Sequence, residues 1–303
     1  MEVNTNELNE TNLQETLKSN LQSNLQSNLQ DTLESNLPEQ EKENIGKLLM
    51  IKTVQSSAFR VLIEALKEIL QDVNIIFDDT GFKIVAMDVS HTVLVHLKLK
   101  SKNFEHYYIK KKLILGINMT NLFKLIKTMG NNDTLTLYVC EDDCNRLGIT
   151  IENGEKNSIT NFKLNLLDLN DEGISIPPAS FDSVITMPSS DFQKLCRDMS
   201  GLADILEIRS VDNLLIFSCK GDFCTQETRL GQTNNGMTFV KNNNPTAIIQ
   251  GYFALKHLVL FTKCTNLCNS IEMYLKNNYP LIISYSVASL GNIKLCLAPQ
   301  QNK

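Results

Sequence analysis

The chain has 303 residues, a hydrophobic content of 42% and a formal net charge of −5. A chain of this length can bury the cores of two ordinary domains. It has no apolar run of the roughly 18 residues that span a bilayer, and its acidic N-terminus is unlike a secretory signal. Membrane and secreted proteins are therefore excluded classes. The eight cysteines lack a framework-like spacing, which indicates free thiols in a reducing compartment.

The acidity of the chain belongs to its N-terminal segment. Residues 1–46 hold nine acidic residues and two lysines, so their net charge is −7, and residues 47–303 carry +2. The segment contains the repeat "SNLQSNLQSNLQ". A four-residue leucine period winds around a helix, and serine and asparagine are poor helix formers. Composition predicts a disordered or partly helical acidic tail, with a weak coiled coil or partner-binding helix as the alternative.

From residue 47 the pattern becomes regular. In the first half, apolar spacing predicts helices at 56–71, with a serine at its start, and at 118–130, ending at Gly130. Strands are predicted at 47–54, 82–88, 92–99, 133–139, 146–152 and 158–169. Residues 170–178 form an irregular stretch with one glycine and two prolines.

The second half repeats this order. Helices are predicted at 188–200, which Ser189 or Ser190 can cap, and at 253–264. Strands are predicted at 180–187, 204–210, 214–220, 225–232, 245–253, 270–276, 280–287 and 293–299. The repetition predicts an α+β protein with two similar domains, each with helices on one face of antiparallel sheets. The domains are 47–167 and 179–303, with a linker at 168–178 and the acidic tail at 1–46.

Each predicted helix carries a basic pair at a same-face spacing of three or seven residues. The eight cations are Arg60, Lys67, Lys124, Lys127, Lys194, Arg197, Lys256 and Lys263. A single pair is ordinary on a surface helix, but four pairs in an acidic chain point to one shared surface. Such a surface suits the phosphates of a duplex, and the absence of a base-reading motif favours sequence-independent contact with double-stranded DNA.

The sequence gives no sign of catalysis. None of the four histidines lies in an HExxH motif, and no phosphate-binding glycine loop is present. The close cysteine pairs have wider spacing than zinc sites use, and they are Cys140 and Cys144, Cys219 and Cys224, and Cys264 and Cys268. We therefore expect no enzyme, no metal and no cofactor.

Several stretches resemble eukaryotic-type DNA sliding clamps, the proliferating cell nuclear antigen family. They are "MDVSHTVLVHL" (87–97), "LLDL" (166–169), "MPSSDFQKLCRDMS" (187–200), "FALKHLVLFTK" (253–263), "YPLIISY" (279–285) and "LAP" (297–299). The resemblance covers roughly Leu49 to Pro299. It implies a homotrimeric ring around duplex DNA with the eight cations lining the hole. The implied function is a polymerase processivity factor in DNA replication and repair.

The resemblance also implies a pocket for a short client motif with a glutamine, an aliphatic residue and two aromatics. Its residues would be Met87, His91, Leu94, Ile174, Ile176, Pro280, Ala298 and Pro299. Leu295 and Cys296 stand where the family usually has tyrosines, so the floor is expected to differ. Subunits would pair through edge strands at 158–165 and about 223–231, with Phe162, Lys163, Phe223 and Thr225 at the interface.

The implied partners are duplex DNA, a replicative polymerase, a clamp loader, motif-bearing clients and further copies of the chain. A subunit of a heterotrimeric checkpoint clamp and a monomeric processivity factor are the alternatives. Asparagine- and lysine-rich usage points to an AT-rich genome, such as that of a large DNA virus. The location would be the nucleus for a cellular protein or a cytoplasmic replication site for a viral one. The sequence does not identify the clients, the role of the tail or a modification site.

Overall fold

The structure is a computed structural model that describes residues 39–170 and 173–300. Residues 1–38 of the predicted tail at 1–46 therefore lie outside the described residues. The chain divides into two compact units, Met1–Lys47 and Leu48–Lys303. In the described part of the first unit, one turn of helix spans Glu39–Lys42.

The first half of the larger unit contains two helices and nine strands. The helices are α1 (Ser56–Ile69) and α2 (Met119–Ile126). The strands are β1 (Lys47–Thr53), β2 (Asp72–Asp78), β3 (Gly81–Met87), β4 (Val93–Lys100), β5 (His106–Ile109), β6 (Leu113–Asn118), β7 (Thr134–Cys140), β8 (Arg146–Asn153) and β9 (Ser158–Asn165). A short 3-10 helix at Ser101–Asn103 links β4 to β5.

The second half repeats the arrangement with two helices and nine strands. The helices are α3 (Ser189–Ser200) and α4 (Leu255–Phe261), and a 3-10 helix (Thr262–Leu267) follows α4 directly. The strands are β10 (Ser183–Pro188), β11 (Ile205–Val211), β12 (Leu214–Lys220), β13 (Thr225–Gly231), β14 (Thr238–Asn242), β15 (Ile249–Ala254), β16 (Ser270–Leu275), β17 (Leu281–Val287) and β18 (Gly291–Leu297).

The strands form three antiparallel sheets. The largest has nine strands in the order β14-β10-β16-β17-β18-β4-β3-β2-β6. It passes from one half of the chain to the other where β18 pairs with β4, from Gly291 opposite Leu99 to Leu297 opposite Val93. The smaller sheets have the orders β5-β1-β7-β8-β9 and β13-β12-β11-β15. The predicted α+β class with antiparallel sheets is confirmed.

Buried and exposed side chains alternate along the strands and so define two faces of the nine-stranded sheet. On β4, Val93, Val95 and Leu97 are fully buried in a core shared with the helices. The intervening residues of β4 point the other way, and Lys98 and Lys100 are exposed. We call the helix-covered side the inner face and the opposite side the outer face. A buried aliphatic or aromatic side chain stabilises the fold by about 1.5–3 kcal/mol, so this pattern fixes the register of each strand.

Aromatic rings pack around α1 in the core. Phe59 packs edge-on against Phe82 of β3 with ring centroids 6.1 Å apart, and Phe82 packs against Phe77 of β2 at 5.1 Å. Leu62 and Leu66 lie one and two turns further along and are fully buried. The apolar face of α1 is therefore held against β2 and β3.

The predicted serine at the start of α1 is confirmed, whereas the predicted serine cap of α3 needs correction. The N-cap of α3 is Pro188, and the Ser189 hydroxyl donates to the carbonyl of Cys268 at 2.6 Å instead of capping. The N-cap of α1 is Gln55, and the Ser56 hydroxyl donates to the carbonyl of Gly130 at 3.1 Å. Both serines are buried, so their hydroxyls satisfy carbonyls of a neighbouring segment. Only α2 has a side-chain cap among these four helices, since Asn118 accepts from the N–H of Asn121.

The sequence missed four strands, β2, β5, β6 and β14. It also extended α2 to Gly130 and α4 to residue 264, whereas these helices end at Ile126 and Phe261. In the structure the N–H of Gly130 binds the carboxylate of Asp133 at 2.7 Å. Gly130 therefore belongs to the turn before β7.

Candidate nucleic-acid interface, partner pocket and subunit edges

The four helices lie side by side. Helix α1 contacts both α2 and α4, and α4 contacts α3, so the order across the inner face is α2-α1-α4-α3. Each helix buries an apolar stripe against the sheets, which directs its polar residues away from the core. The structure thus brings the cation-bearing helices of both halves onto one surface.

Six of the eight predicted cations are exposed, and two are held by neighbours. The exposed ones are Lys124, Lys127, Lys194, Arg197, Lys256 and Lys263. Lys263 lies in the 3-10 helix rather than in α4, and Lys127 caps the end of α2. Arg60 donates to the Asn131 side chain at 3.2 Å. The Lys67 ammonium pairs with Glu68 and lies 5.0 Å from the centre of the Phe123 ring.

Sequence reasoning missed the carboxylates on the same helices. Four acidic residues accompany the eight cations, which leaves a net charge of +4, and they are Glu64, Glu68, Asp191 and Asp198. The hydrogen bond from Lys67 is the largest influence on Glu68 and lowers its pKa, with a further contribution from Lys263. Arg197 lies 3.8 Å from Asp198. The surface is basic but partly compensated.

Two predicted pocket residues face each other on the outer face. Met87 of β3 is the cross-strand partner of Leu94 of β4, and Leu94 is the partner of Cys296 on β18. Cys296 in turn lies opposite Ile282 of β17. These four side chains form a row across four strands, which we call the apolar row. Ile282 was not found from the sequence.

The remaining predicted pocket residues lie around this row. Ile174 and Met87 line a cleft of about 250 Å³ together with Asp72, Asn74 and Val85. The Asn74 amide donates to the carbonyl of Asn170 at 3.1 Å, which ties the described start of the 168–178 segment to β2. Ile176 is exposed in the same segment, which has no regular structure at 173–178.

A second hollow lies at the end of the chain. Pro299 lines it with Tyr252, Tyr279 and Gln300, and its volume is about 890 Å³. Ala298 donates its N–H to the carbonyl of Thr92 at 3.1 Å, next to the exposed His91. Pro280 precedes β17, whose first residue Leu281 pairs with Leu297. The structure therefore places the predicted pocket residues around two hollows and the apolar row.

Leu295 and Cys296, the two residues that depart from the family pattern, have different surroundings. Leu295 is fully buried and faces the core, so it does not reach the outer face. Cys296 belongs to the apolar row, and burial raises the pKa of its thiol to about 11. The Cys296 thiol is therefore protonated at neutral pH and acts as a small apolar group.

The predicted interface strands are free edges of separate sheets. Strand β9 ends the five-stranded sheet and β13 ends the four-stranded one. With eight and seven residues, they are the longest edge strands in the described part of the chain. Lys163 pairs with Asp143 at 3.2 Å, and Phe162 is half-buried. Phe223 is 78% exposed in the turn before β13, and Thr225 begins that strand.

Some classes of site are not found in the described residues. Across 39–170 and 173–300, no group of three histidine, cysteine or acidic side chains could hold a metal ion. All eight cysteines are free thiols. Within the same ranges no helix has the length and apolar character that crossing a bilayer takes.

Comparisons with known proteins find the same family in both halves of the chain. The family model "Proliferating cell nuclear antigen, N-terminal domain" matches residues 48–173, and the corresponding C-terminal domain matches 175–300. The chain is 38% identical over 256 residues to "Probable DNA polymerase sliding clamp 1" of Paramecium bursaria Chlorella virus 1, which covers 83% of this chain and 97% of that protein. The chain belongs to the proliferating cell nuclear antigen family.

Proposed function

We propose that the protein is a DNA sliding clamp that acts as a polymerase processivity factor. Three copies would close into a ring, with the helices facing the hole and the outer face directed outwards. The observation that carries the proposal is the placement of basic helices from both halves on one continuous surface. A clamp needs such a surface, since it holds duplex phosphates of any sequence without reading bases.

Ring closure would use the edges of β9 and β13. An unpaired strand edge is a template for another strand, and pairing β9 of one copy with β13 of the next is a head-to-tail contact that can close a ring. Exposed apolar side chains at both edges support this pairing, because Ile159 on β9 is 68% exposed and Phe223 beside β13 is 78% exposed. In this arrangement Phe162, Lys163 and Thr225 would also lie at the interface.

DNA would be held loosely by the eight cations of the helices. Arg60 and Lys67 are restrained by Asn131 and Glu68, so they would serve as fixed contacts, and the six exposed cations would follow the phosphates. The action proposed is topological and involves no reaction. Encirclement keeps the clamp on DNA, and tethering raises the effective concentration of polymerase at the primer end.

Clients would dock beside the apolar row. The proposed docking residues are Met87, His91, Leu94, Ile174, Ile176, Pro280, Ala298 and Pro299, with the 168–178 linker at the border between domains 47–167 and 179–303. A helical turn with apolar anchors fits hollows of this kind. A clamp loader would open the closed ring, and the site of action would be the place of DNA replication, nuclear or cytoplasmic.

Oligomeric state is the experiment that tests the proposal. Light scattering of the full chain is expected to give three times the chain mass. Ile159→Asp and Phe223→Asp should each shift the mass towards the monomer, because an isolated charge would be buried at the edge. Val240→Asp is the matched control, since Val240 is 63% exposed on the β14 edge of the nine-stranded sheet.

The outcomes separate the alternatives. A monomer at micromolar concentration would contradict the homotrimeric ring and favour a monomeric processivity factor or a checkpoint-clamp subunit that needs other chains. A trimer that survives both edge substitutions would place the interface elsewhere. A trimer lost equally in Val240→Asp would show that charge on any edge destabilises the assembly.

A further inference from the structure

The outer face carries a compact group of basic side chains beside the apolar row. Lys83 lies on β3, His96 and Lys98 lie on β4, and Lys294 lies on β18, which are adjacent strands of the nine-stranded sheet. We call these four residues the outer basic cluster. They belong to neither the helix surface nor the pocket described above.

Strand register places these basic groups directly against each other. Lys83 is the cross-strand partner of Lys98, and His96 is the partner of Lys294. Directly opposed residues have Cβ atoms about 4.5–5.5 Å apart, and like charges at such positions destabilise a sheet. Of these two pairs, Lys83 and Lys98 are like charges that repel each other across the sheet, and a bound anion would reduce that repulsion.

Few counter-charges reach the cluster within the described residues. Lys83 pairs with Asp78 at 2.5 Å. The Lys294 ammonium lies 5.3 Å from the ring centre of Tyr274, and neither Lys98 nor Lys294 has a carboxylate within 4.0 Å in the part of the chain that the structure describes. The nearest acidic side chain along the Lys294 row, Glu272, accepts a hydrogen bond from Tyr274. Three ammonium groups thus share one paired carboxylate.

The pKa of His96 responds to the charges of the three lysines. Burial is the main cause that lowers its pKa, and Lys294, Lys98 and Lys83 lower it further. The imidazole is therefore neutral at pH 7, where it can still donate or accept a hydrogen bond. The charge of the cluster comes from its three lysines.

The cluster is continuous with the apolar row. Leu94 and His96 are two residues apart on β4, as are Cys296 and Lys294 on β18, so each step is about 7 Å along its strand. Lys98 lies one further step away. An extended segment that leaves the apolar row would reach all three positions within about four or five residues.

We propose that the outer basic cluster binds acidic side chains of a client segment that flanks the docking motif. This inference rests on the proposed docking of clients at the apolar row. A short acidic segment matches the cluster in size, because three lysines offer room for two or three carboxylates. A nucleic-acid strand fits less well, because the cations span only three strands and the duplex is assigned to the opposite face.

The test compares matched peptides on the full-length protein. Three labelled peptides carry a glutamine, a leucine and two phenylalanines at motif spacing, followed by no extension, four glutamates or four glutamines. A second set places the extensions before the motif. Fluorescence anisotropy at about 50 mM and 300 mM salt gives the affinities, since a charge effect must weaken as the Debye length shrinks.

At low salt, a glutamate peptide is expected to bind about fivefold tighter than its glutamine counterpart. Lys98→Gln combined with Lys294→Gln should bring the two affinities within about twofold, the plain peptide being unaffected. Lys156→Gln, in the exposed turn between β8 and β9, is the matched control and should keep the preference. An unchanged urea midpoint and mass would show that the double variant folds and assembles normally.

Each contrary result has a distinct meaning. If the plain peptide does not bind, the docking pocket itself is wrong and the present inference falls with it. If the plain peptide binds but neither glutamate peptide is preferred, or the preference survives in the double variant, only the cluster is wrong. If a single-stranded oligonucleotide displaces the glutamate peptide and loses affinity in the double variant, the cluster is a nucleic-acid site instead.

Discussion

The inner and outer faces of the same sheet hold their positive charge in different ways. On the inner side, eight cations are spread over the four helices and the turns that directly follow α2 and α4, and four carboxylates are interleaved with them. On the outer side, three lysines and a histidine occupy adjacent cross-strand positions with one paired carboxylate, Asp78. Spread, compensated charge suits a ligand that must slide, whereas concentrated charge suits a ligand that stays in place.

The net charge of the chain does not reveal this difference between the two faces. Residues 47–303 carry only +2, yet the fold gathers eleven of their 27 cations on two surfaces, eight on the helix side and three lysines on the outer face. The helix pairs can be seen in the sequence because helical spacing is local. The outer basic cluster cannot, because Lys294 and His96 are brought together by pairing between β18 and β4, almost 200 residues apart in the chain.

The largest effect is expected from breaking the strand pair on which both faces depend. A Cβ atom at Gly291 would lie 2.1 Å from the carbonyl oxygen of Lys98, so Gly291→Ala must push β18 away from β4. We expect a loss of about 1–3 kcal/mol in the free energy of unfolding, measured by urea denaturation. Gly154→Ala is the control, since nothing lies within 4 Å of a Cβ there, and equal stability of the two variants would contradict the close approach.

The next effect separates the two faces. Lys194→Glu with Arg197→Glu reverses two exposed cations of α3 and should weaken duplex DNA binding at least about tenfold at low salt, with a shallower salt dependence. The glutamate-peptide preference should remain, and light scattering should still give a trimer. Lys98→Gln with Lys294→Gln should remove the glutamate-peptide preference and leave duplex DNA binding unchanged. If either pair of substitutions changes both kinds of binding, the faces are not independent.

The fold class and the positions of all four helices could be predicted from the sequence, because apolar periodicity is local. The missed strands had no such signal. Strand β5 has four residues, none of them fully buried, and β6 leads directly into α2 without an intervening turn to mark its end. Strand β2 follows α1 after two residues and was left unassigned, because the predicted helix ended at residue 71 and the next predicted strand began at 82.

For the candidate sites as well, the sequence revealed local patterns but not contacts between distant residues. Helical spacing singled out all eight cations, but Glu64 and Glu68 were overlooked because only positive charge was counted. Ile282 joins the apolar row through strand pairing, and Asn74 meets the linker through a hydrogen bond, and neither contact leaves a local pattern in the sequence. The predicted serine cap of α3 failed for a related reason, since the Ser189 hydroxyl binds the carbonyl of Cys268, which is distant in sequence.

A smaller effect is expected from removing one carboxylate of the inner face. Glu68 pairs with Lys67, and its pKa is lowered by that hydrogen bond first and by Lys263 as well. Glu68→Gln should free both cations and raise duplex affinity about two- to threefold at low salt. Glu141→Gln is the control, because Glu141 pairs with Lys110 outside the helices. Equal gains in both variants would mean that only overall charge matters.

The smallest effect concerns Asp78, the carboxylate that pairs with Lys83 of the outer basic cluster. Burial alone would raise the pKa of Asp78, but hydrogen bonds from Lys83 and Thr80 outweigh it and lower the pKa to about 2. An unfolded aspartate has a pKa of about 3.9, so the stabilisation by Asp78 is complete above that pH and is lost as pH falls towards 2.

Asp78→Asn should therefore lower the urea midpoint slightly at pH 7 and flatten its fall between about pH 4 and pH 2. The substitution also leaves Lys83 opposite Lys98 without a counter-charge, so adding salt should restore part of the loss by screening. Asp142→Asn in the exposed β7–β8 turn is the control and should leave the profile unchanged. A midpoint in Asp78→Asn that follows the parent protein at every pH would mean that Lys83 and Lys98 do not repel each other across the sheet, which would remove the reason for an anion to bind there.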